Sequence, residues 1–229
     1  MKGNIGFVGL AILVVATGGL SGCVAHRSEF EGRIVDAETQ QPIEGAVVLA
    51  HWRLEYYVLE KQDGGAVQLI ETKTDKDGRF KVPSWTKVYW PFRGLMEDHM
   101  DPELIMFKDG YEFRLARSIT EFRSKQLKQL PPTERSKKLD LVTPNELNGK
   151  TFQLVRVTPG SSVAAANEGF SYVGGRVFGR RERKGCMWPN AATMLQTLSD
   201  AQTGSRSLGI NMYSGSITAC GQEKNFTWR

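Results

Sequence analysis

Three cysteines are the residues of this 229-residue chain whose positions favour covalent chemistry. Cys23 follows a short apolar segment, whereas Cys186 and Cys220 lie near the C-terminal end. If Cys23 is modified separately, the other two form an even pair, which an oxidising compartment would join as a disulfide. That bond would stabilise the fold by roughly 3–4 kcal/mol through its effect on the unfolded chain. Two free thiols are the alternative.

Residues 1–22 have the organisation of a bacterial lipoprotein signal peptide. Lys2 supplies a positive charge, and residues 5–15 (IGFVGLAILVV) form an apolar run that is too short to span a bilayer. The tetrapeptide Leu20-Ser21-Gly22-Cys23 resembles the lipobox of bacterial lipoproteins. The resemblance implies cleavage before Cys23 and acylation of that cysteine with fatty acids such as palmitate. An ordinary secretory signal is the alternative.

The same resemblance implies a location in the cell. Val24 and Ala25 follow the cysteine, so the Asp that retains lipoproteins in the inner membrane of enterobacteria is absent. We therefore expect a protein anchored in the outer membrane through Cys23, with its domain at the periplasmic face and residues 23–29 as a short polar tether. Each buried CH₂ of an acyl chain contributes about 0.8 kcal/mol, so two or three chains make the anchor permanent.

Short alternating segments separated by Gly, Asp and Pro predict many β-strands between residues 30 and 143. Residues 46–52 (AVVLAHW) are apolar on both faces, which indicates an internal strand. Hairpin tips are predicted at residues 62–65 (QDGG) and 75–78 (DKDG). Residues 139–141 (LDL) are a candidate last strand. This pattern is typical of an all-β sandwich.

Four segments in this region carry a family resemblance. They are, in order, residues 32–36 (GRIVD), 42–48 (PIEGAVV), 72–80 (TKTDKDGRF) and 107–111 (FKDGY). Together they are similar to the carboxypeptidase regulatory-like domain. The resemblance implies a mainly β fold, namely a transthyretin-like (prealbumin-like) β-sandwich over residues 30–143.

Two insertions interrupt that domain, and an extension follows it. Residues 85–101 form an inserted loop with many aromatic side chains, and residues 118–130 have the spacing of a helix that ends at Pro131-Pro132. Residues 144–229 are expected to form a small α+β extension, pinned by the predicted disulfide. Within it we expect a strand over 151–157, a bulged strand over 172–178, and a helix that begins at Pro189.

Two groups of side chains are candidate binding surfaces. The inserted loop could form a platform for a sugar ring or a partner's side chain, unless its aromatic residues cover the core. A basic turn in the extension could bind lipid phosphates or anionic cell-wall polymer, unless it is simply solvated. The residues of the loop are Trp85, Tyr89, Trp90 and Phe92, and those of the turn are Arg180, Arg181 and Arg183.

Charge and motifs limit the function further. The 30 Lys and Arg against 25 Asp and Glu give a net charge of +5 without a dense basic stripe, so we expect no nucleic-acid partner. The sequence holds no recognisable catalytic motif or metal-ligand set, and we predict no enzyme activity, no metal and no cofactor. The prediction is a non-catalytic binding or scaffolding module. A structural subunit of an envelope or secretion assembly and a glycan- or peptidoglycan-binding protein are the alternatives.

Overall fold

A computed structural model describes residues 23–57, 61–89, 96–98, 102–118, 139–142, 147–158, 161–177 and 188–202. These residues form a mainly β fold with two short α-helices. The strands are β1 (Cys23–Arg27), β2 (Phe30–Asp36), β3 (Val47–Tyr57), β4 (Lys61–Lys73), β5 (Arg79–Val82), β6 (Trp85–Tyr89), β7 (Met96–Asp98), β8 (Glu103–Phe107), β9 (Arg114–Ser118), β10 (Leu139–Val142) and β11 (Lys150–Leu154). The helices are α1 (Ser162–Tyr172), continued by a π-helical turn (Val173–Val177), and α2 (Ala192–Gln202), preceded by a 3₁₀ turn (Trp188–Ala191).

The large sheet is built around β3. Its strand order is β10-β9-β8-β3-β4, and β7 pairs with the second half of β3. Side chains 47–52 of β3 are buried on both faces, and so are those of β8. The expectation that residues 46–52 form an internal strand is confirmed. The strand predicted at residues 139–141 is also confirmed, as β10.

A small sheet covers one face of the large one. Its order is β11-β2-β5, with β11 parallel to β2. Ile34 and Phe152 of the small sheet share a hydrophobic cluster with Val48, Trp52 and Met106 of the large sheet. The region expected as a separate extension therefore supplies an edge strand to the sheet that contains β2.

The two helices cover the other face of the large sheet. Leu49, Ile105 and Phe107 form a second hydrophobic cluster with helix residues such as Phe170 and Leu198. The predicted helix after Pro189 is confirmed, because Ala191, Met194, Leu195 and Leu198 are all buried at helical spacing. Neither helix in the described part of the chain has the length and apolar content needed to cross a membrane.

A carboxylate from the sheet caps α2. Glu71 of β4 accepts hydrogen bonds from the backbone N–H groups of Thr193 (3.0 Å) and Met194 (2.6 Å). The first N–H groups of a helix have no partner within it, and a negative charge there is favourable. Glu71 thus fixes the start of α2 on the large sheet.

Several local predictions are corrected by the structure. Residues 23–27 are strand β1 rather than a polar tether, because they pair with β6. Residues 62–65 lie within β4, and β3 and β4 instead connect between Tyr57 and Lys61. The glycines that suggested a turn coincide with a register shift between Leu54 and Glu55. A turn is present at 75–78, with Gly78 at a φ of 72°, but it does not close the predicted hairpin, because β4 lies in the large sheet and β5 pairs with β2 in the small one.

Three further predictions concern the insertions and the extension. The inserted loop at 85–101 contains β6 and β7, and residues 90–95 and 99–101 lie outside the described residues. Ser118 ends β9, and the rest of the predicted helix at 118–130 also lies outside them. The bulged strand at 172–178 was wrong, since residues 172–177 continue helically from α1. The burial of Phe170 and Val173 against the large sheet favours the helix there.

Gly169 provides a test of how α1 packs. A methyl group at this position would lie 2.6 Å from Cδ2 of Phe113 and 2.7 Å from Cδ2 of Leu198. In an open helix Gly→Ala stabilises by about 1 kcal/mol. At Gly169 the cost of overpacking exceeds this gain. We therefore expect Gly169→Ala to lower the free energy of unfolding by about 1–3 kcal/mol in urea titration.

Gly175 is the matched control, because no atom lies within 4 Å of a methyl group placed there. Gly175→Ala should leave the urea midpoint unchanged or raise it slightly. Equal effects of the two substitutions would contradict the close contact between α1, Phe113 and α2.

Candidate functional site

Cys23 is the first residue of a two-stranded ribbon, which we call the N-terminal ribbon and which consists of β1 and β6. All five residues of β1 pair with β6 in antiparallel register. Cys23 lies opposite Tyr89, and Val24 lies opposite Val88. The predicted acylation site is therefore part of the regular structure and does not stand at the end of a loop.

Trp85 attaches this ribbon to the core. Its side chain is 9% exposed and meets Trp52 of β3 edge to face, with 5.3 Å between the ring centroids. The guanidinium carbon of Arg27 lies 5.7 Å from the centroid of the Trp85 ring, which is cation–π range. The aromatic residues of the inserted loop were expected either to form a binding platform or to cover the core. The indole of Trp85 belongs to the core.

The other predicted site residues lie almost entirely outside the part of the chain that the structure describes. Tyr89 ends β6, but its side chain is not described. Trp90, Phe92, the basic turn with Arg180, Arg181 and Arg183, and the cysteines Cys186 and Cys220 all lie outside the described residues. The binding surfaces and the disulfide thus stay predictions.

A buried polar cluster, which the sequence analysis missed, lies between the large sheet and α1. Nε of Arg117 donates to Oε1 of Glu103 at 2.8 Å, and the hydroxyl of Tyr172 donates to the same oxygen at 2.6 Å. Nδ1 of His51 lies 3.9 Å from Oε2 of Glu103. We call these four residues the Glu103 cluster.

The pairing register explains why these residues meet. His51 lies directly opposite Glu103 across β3 and β8, and Glu103 lies opposite Arg117 across β8 and β9. Directly opposed residues of neighbouring strands project from the same face and interact. Tyr172, the last residue of α1, reaches the same carboxylate from the helix layer. The sequence signal was only that His51 and Glu103 are polar residues of otherwise apolar stretches, 46–52 and 103–107.

The environment of the Glu103 cluster fixes its charge states. Burial on its own would raise the pKa of Glu103, but contact with His51 and the charge of Arg117 outweigh it and lower the pKa to about 2. Burial and the neighbouring carboxylate raise the pKa of Tyr172 to about 12. Glu103 is therefore ionised and Tyr172 is neutral at pH 7. The neutral hydroxyl of Tyr172 can then donate to the Glu103 carboxylate, and this bond joins the end of α1 to the large sheet.

A second polar centre is formed by Asp36, which binds residues from three separate parts of the chain. Asp36 accepts hydrogen bonds from the backbone N–H groups of Glu38 (3.0 Å) and Thr39 (2.9 Å). Its other oxygen accepts from the hydroxyl of Tyr111 (3.1 Å) and from Nε of Arg156 (2.5 Å). The bond from Thr39, with those from Arg156, Glu38 and Tyr111, keeps the pKa of Asp36 well below its ordinary value. This arrangement ties β2 to the loop after β8 and to the segment that follows β11.

Neither centre offers a metal site. Within the ranges that the structure describes, no three His, Cys, Asp or Glu side chains are grouped so that they could hold a metal ion.

The comparisons with known proteins found weak matches to solved structures and no match of any other kind. No family model matches the chain, and no curated protein matches it. A 3-chlorocatechol 1,2-dioxygenase from Rhodococcus opacus 1CP matches with a TM-score of 0.30 and 14% identity over 60% of this chain and 61% of that one. A second dioxygenase matches with a TM-score of 0.27 and 12% identity over 61% and 84% of the two chains. A 9R-lipoxygenase from Cyanothece PCC8801 matches with a TM-score of 0.25 and 11% identity over 86% and 29%.

These matches correct one prediction. We predicted that the chain is not an enzyme, and similarity to two dioxygenases and a lipoxygenase contradicts that prediction. The prediction is withdrawn. Likeness this low assigns no reaction to the chain, and the chain spans about three fifths of the first dioxygenase's length.

The Glu103 cluster predicts a pH-dependent loss of stability. Because the pKa of Glu103 falls from 4.5 to about 2 on folding, its contribution is complete above pH 4.5 and disappears as the pH falls toward 2. Glu103→Gln removes the charge that pairs with Arg117, so we expect a loss of about 3 kcal/mol at pH 7 in urea unfolding. Between pH 4.5 and 2 the difference between variant and wild type should shrink.

Glu44→Gln is the control for this experiment, because Glu44 is an exposed turn residue. It should follow the wild-type stability across the whole pH range. A Glu103→Gln variant whose deficit is independent of pH would show that the carboxylate's charge does not stabilise the cluster.

Proposed function

We propose that the chain is an outer-membrane lipoprotein, acylated at Cys23, whose domain is a binding or scaffolding module at the periplasmic face. The observation that carries this proposal is the place of Cys23 in the fold. It begins β1, and β1 is paired with β6 along its whole length. An anchor on Cys23 would thus be joined to the folded domain without a linker, and it would hold the domain close to the membrane surface.

A transthyretin-like sandwich is the fold we propose for this module. The four sequence segments that carry the family resemblance contact one another in space. The backbone N–H of Ile34 donates to the carbonyl of Gly78 at 2.8 Å. The hydroxyl of Thr74 accepts from the N–H of Ala46 at 2.8 Å and donates to the carbonyl of Ile43 at 2.7 Å. With the bond from Tyr111 to Asp36, each segment is held by another.

The glycine at position 78 supports the same interpretation. Its φ is 72°, and a Cβ there would lie 2.4 Å from the carbonyl oxygen of Ile34. Only glycine fits where the chain turns this closely against β2. The DG pair of the third segment is therefore explained by the contact between the segments.

Of the alternatives, a dedicated protein partner is favoured over a glycan. Glycan binding through the aromatic loop requires exposed indoles at positions 85 and 90, and the Trp85 indole is in the core. A role as a structural subunit of an envelope assembly needs a docking surface but no exposed indole. Anchoring would strengthen either kind of binding by raising the effective concentration at the membrane.

The anchor is tested by Cys23→Ser expressed in a Gram-negative host. We expect the wild type to incorporate labelled palmitate and to fractionate with the outer membrane, and the variant to lose both properties. Cys186→Ser is the matched control and should keep both. A wild-type chain that takes up no palmitate would overturn the lipoprotein proposal.

The binding role is tested by photocrosslinking in cells, with the probe at Trp90 and, separately, at Arg181. We expect one sharp protein adduct from at least one of these positions. A probe at Lys76, an exposed turn residue, is the control and should give none. Absence of adducts at both test positions, with the protein still in the outer membrane, would contradict a dedicated protein partner.

A further inference from the structure

Strand β4 forms one edge of the large sheet. It pairs with β3, and within the described residues no strand pairs with its other side. Ile70 of β4 packs against the core but stays partly exposed, whereas Ala50, which lies opposite it in β3 and has strands on both sides, is fully buried. The core is thus incompletely covered where β4 has no neighbour.

The pairing register shows which backbone groups of β4 are directed outward. The N–H of Thr74 donates to the carbonyl of Ala46 at 3.0 Å, so these two residues form a hydrogen-bonded pair. In the same register, Thr72 lies opposite Val48. Hydrogen-bonded and non-hydrogen-bonded pairs alternate in an antiparallel ladder, so the intervening residues of β4 direct N–H and C=O away from β3. These residues are Leu69, Glu71 and Lys73.

The chain closes other parts of its sheet edges with its own groups. At the edge of the small sheet, the N–H of Asp75 donates to the carbonyl of Arg79 at 2.9 Å, and Oδ1 of Asp75 accepts from the N–H of Arg79 at 2.8 Å. On β4, Nζ of Lys87 donates to the carbonyl of Val67 at 2.7 Å. Along residues 69–73, in contrast, no backbone group of the described chain bonds with the outer side of β4. An edge left open in this way can bind a further strand.

We propose that residues 69–73 of β4 dock an extended segment of a protein partner, which adds a strand to the large sheet. This inference rests on the proposed role as a binding module and does not depend on acylation at Cys23. The outward N–H and C=O groups recur at every second residue, and the backbone of another strand has the same spacing. Main-chain hydrogen bonds of this kind supply affinity, and the neighbouring side chains supply specificity.

The side chains of β4 indicate the composition of the docked segment. Ile70 is partly exposed beside the core, so an apolar residue next to it would complete its burial. Lys73 is exposed, and an acidic residue across from it would be favourable. The carboxylate of Glu71 is already bound to the N–H groups at the start of α2. We therefore infer a segment with an apolar residue beside Ile70 and a carboxylate beside Lys73.

Hydrogen exchange of the purified full chain tests whether this edge is open. The N–H groups of Ile70 and Thr72 are directed toward β3, and those of Glu71 and Lys73 are directed away from it. We expect the first two to exchange at least about tenfold more slowly than the second two. Equal protection of the two sets would show that this chain, or a second copy of it, already covers the edge, and it would overturn the proposal.

Photocrosslinking in cells identifies the occupant, with the probe at Gln68 and, separately, at Thr72, which lie on the same face of β4. The residues crosslinked in a paired strand should lie about four positions apart within one segment of a single partner. Adducts at unrelated positions of the partner would contradict strand pairing, and adducts with a second copy of this chain would overturn a separate partner.

The probes at Trp90 and Arg181 separate this inference from the proposed function. If either of those gives a protein adduct while Gln68 and Thr72 give none, the edge site alone is overturned. Absence of adducts at all four positions would overturn both the edge site and the dedicated protein partner.

Lys73→Pro and Lys73→Thr form a matched pair of variants. Proline removes the outward N–H of residue 73 and leaves the ladder with β3 intact, and edge strands tolerate proline in such positions. We expect the adduct from the probe at Gln68 to fall several-fold in Lys73→Pro and to persist in Lys73→Thr, with both variants folded by circular dichroism. Equal adduct yields in the two folded variants would contradict docking through the backbone. If Lys73→Pro does not fold, hydrogen exchange and the positions of the two adducts decide the question.

Discussion

The two-sided burial of β3 and β8 is the constraint on which the rest of the structure depends. Residues 47–50 and 103–107 are buried on both faces of the large sheet, so that sheet cannot present either face to water there. The small sheet covers one face and the pair of helices covers the other. Both covering layers include residues beyond position 144, so the described segments of the C-terminal region contribute to the core.

The predictions that succeeded rested on local periodicity. Residues 46–52 are apolar at every position except His51, and the helix after Pro189 carries its apolar residues at helical spacing. Each pattern shows which side chains will be buried, even when the strand or helix that they pack against is unknown. Some predictions that failed concerned glycines, as at 62–65 and 172–178, where the same residue suits a turn, a bulge or a close helix contact. The polar tether at 23–29 failed because its pairing with β6 is not visible in the local sequence. Pairing over long sequence distances, such as β11 with β2, leaves no local pattern.

The Glu103 cluster could not be predicted for the same reason, yet it belongs to the same constraint. A helix that covers a purely apolar face can slide along it, whereas the bond from Tyr172 to Glu103 fixes one position of α1. Burying the carboxylate costs free energy, and Arg117 offsets that cost. Arg117 is 34% exposed, so water still solvates part of the guanidinium. Glu71 acts similarly at the start of α2. Two carboxylates on the sheet thus position the two helices.

The N-terminal ribbon connects this core to the predicted anchor through a short series of contacts. Trp52 lies in β3, the strand that organises the large sheet, and its ring meets Trp85 of β6, which in turn pairs with the strand that begins at Cys23. A domain tethered by a flexible linker samples many orientations, but a strand pair buried at one end permits few. An anchored chain of this construction would present the same faces to the periplasm at all times. A partner would then meet a surface whose orientation has already been fixed, and binding would cost less entropy.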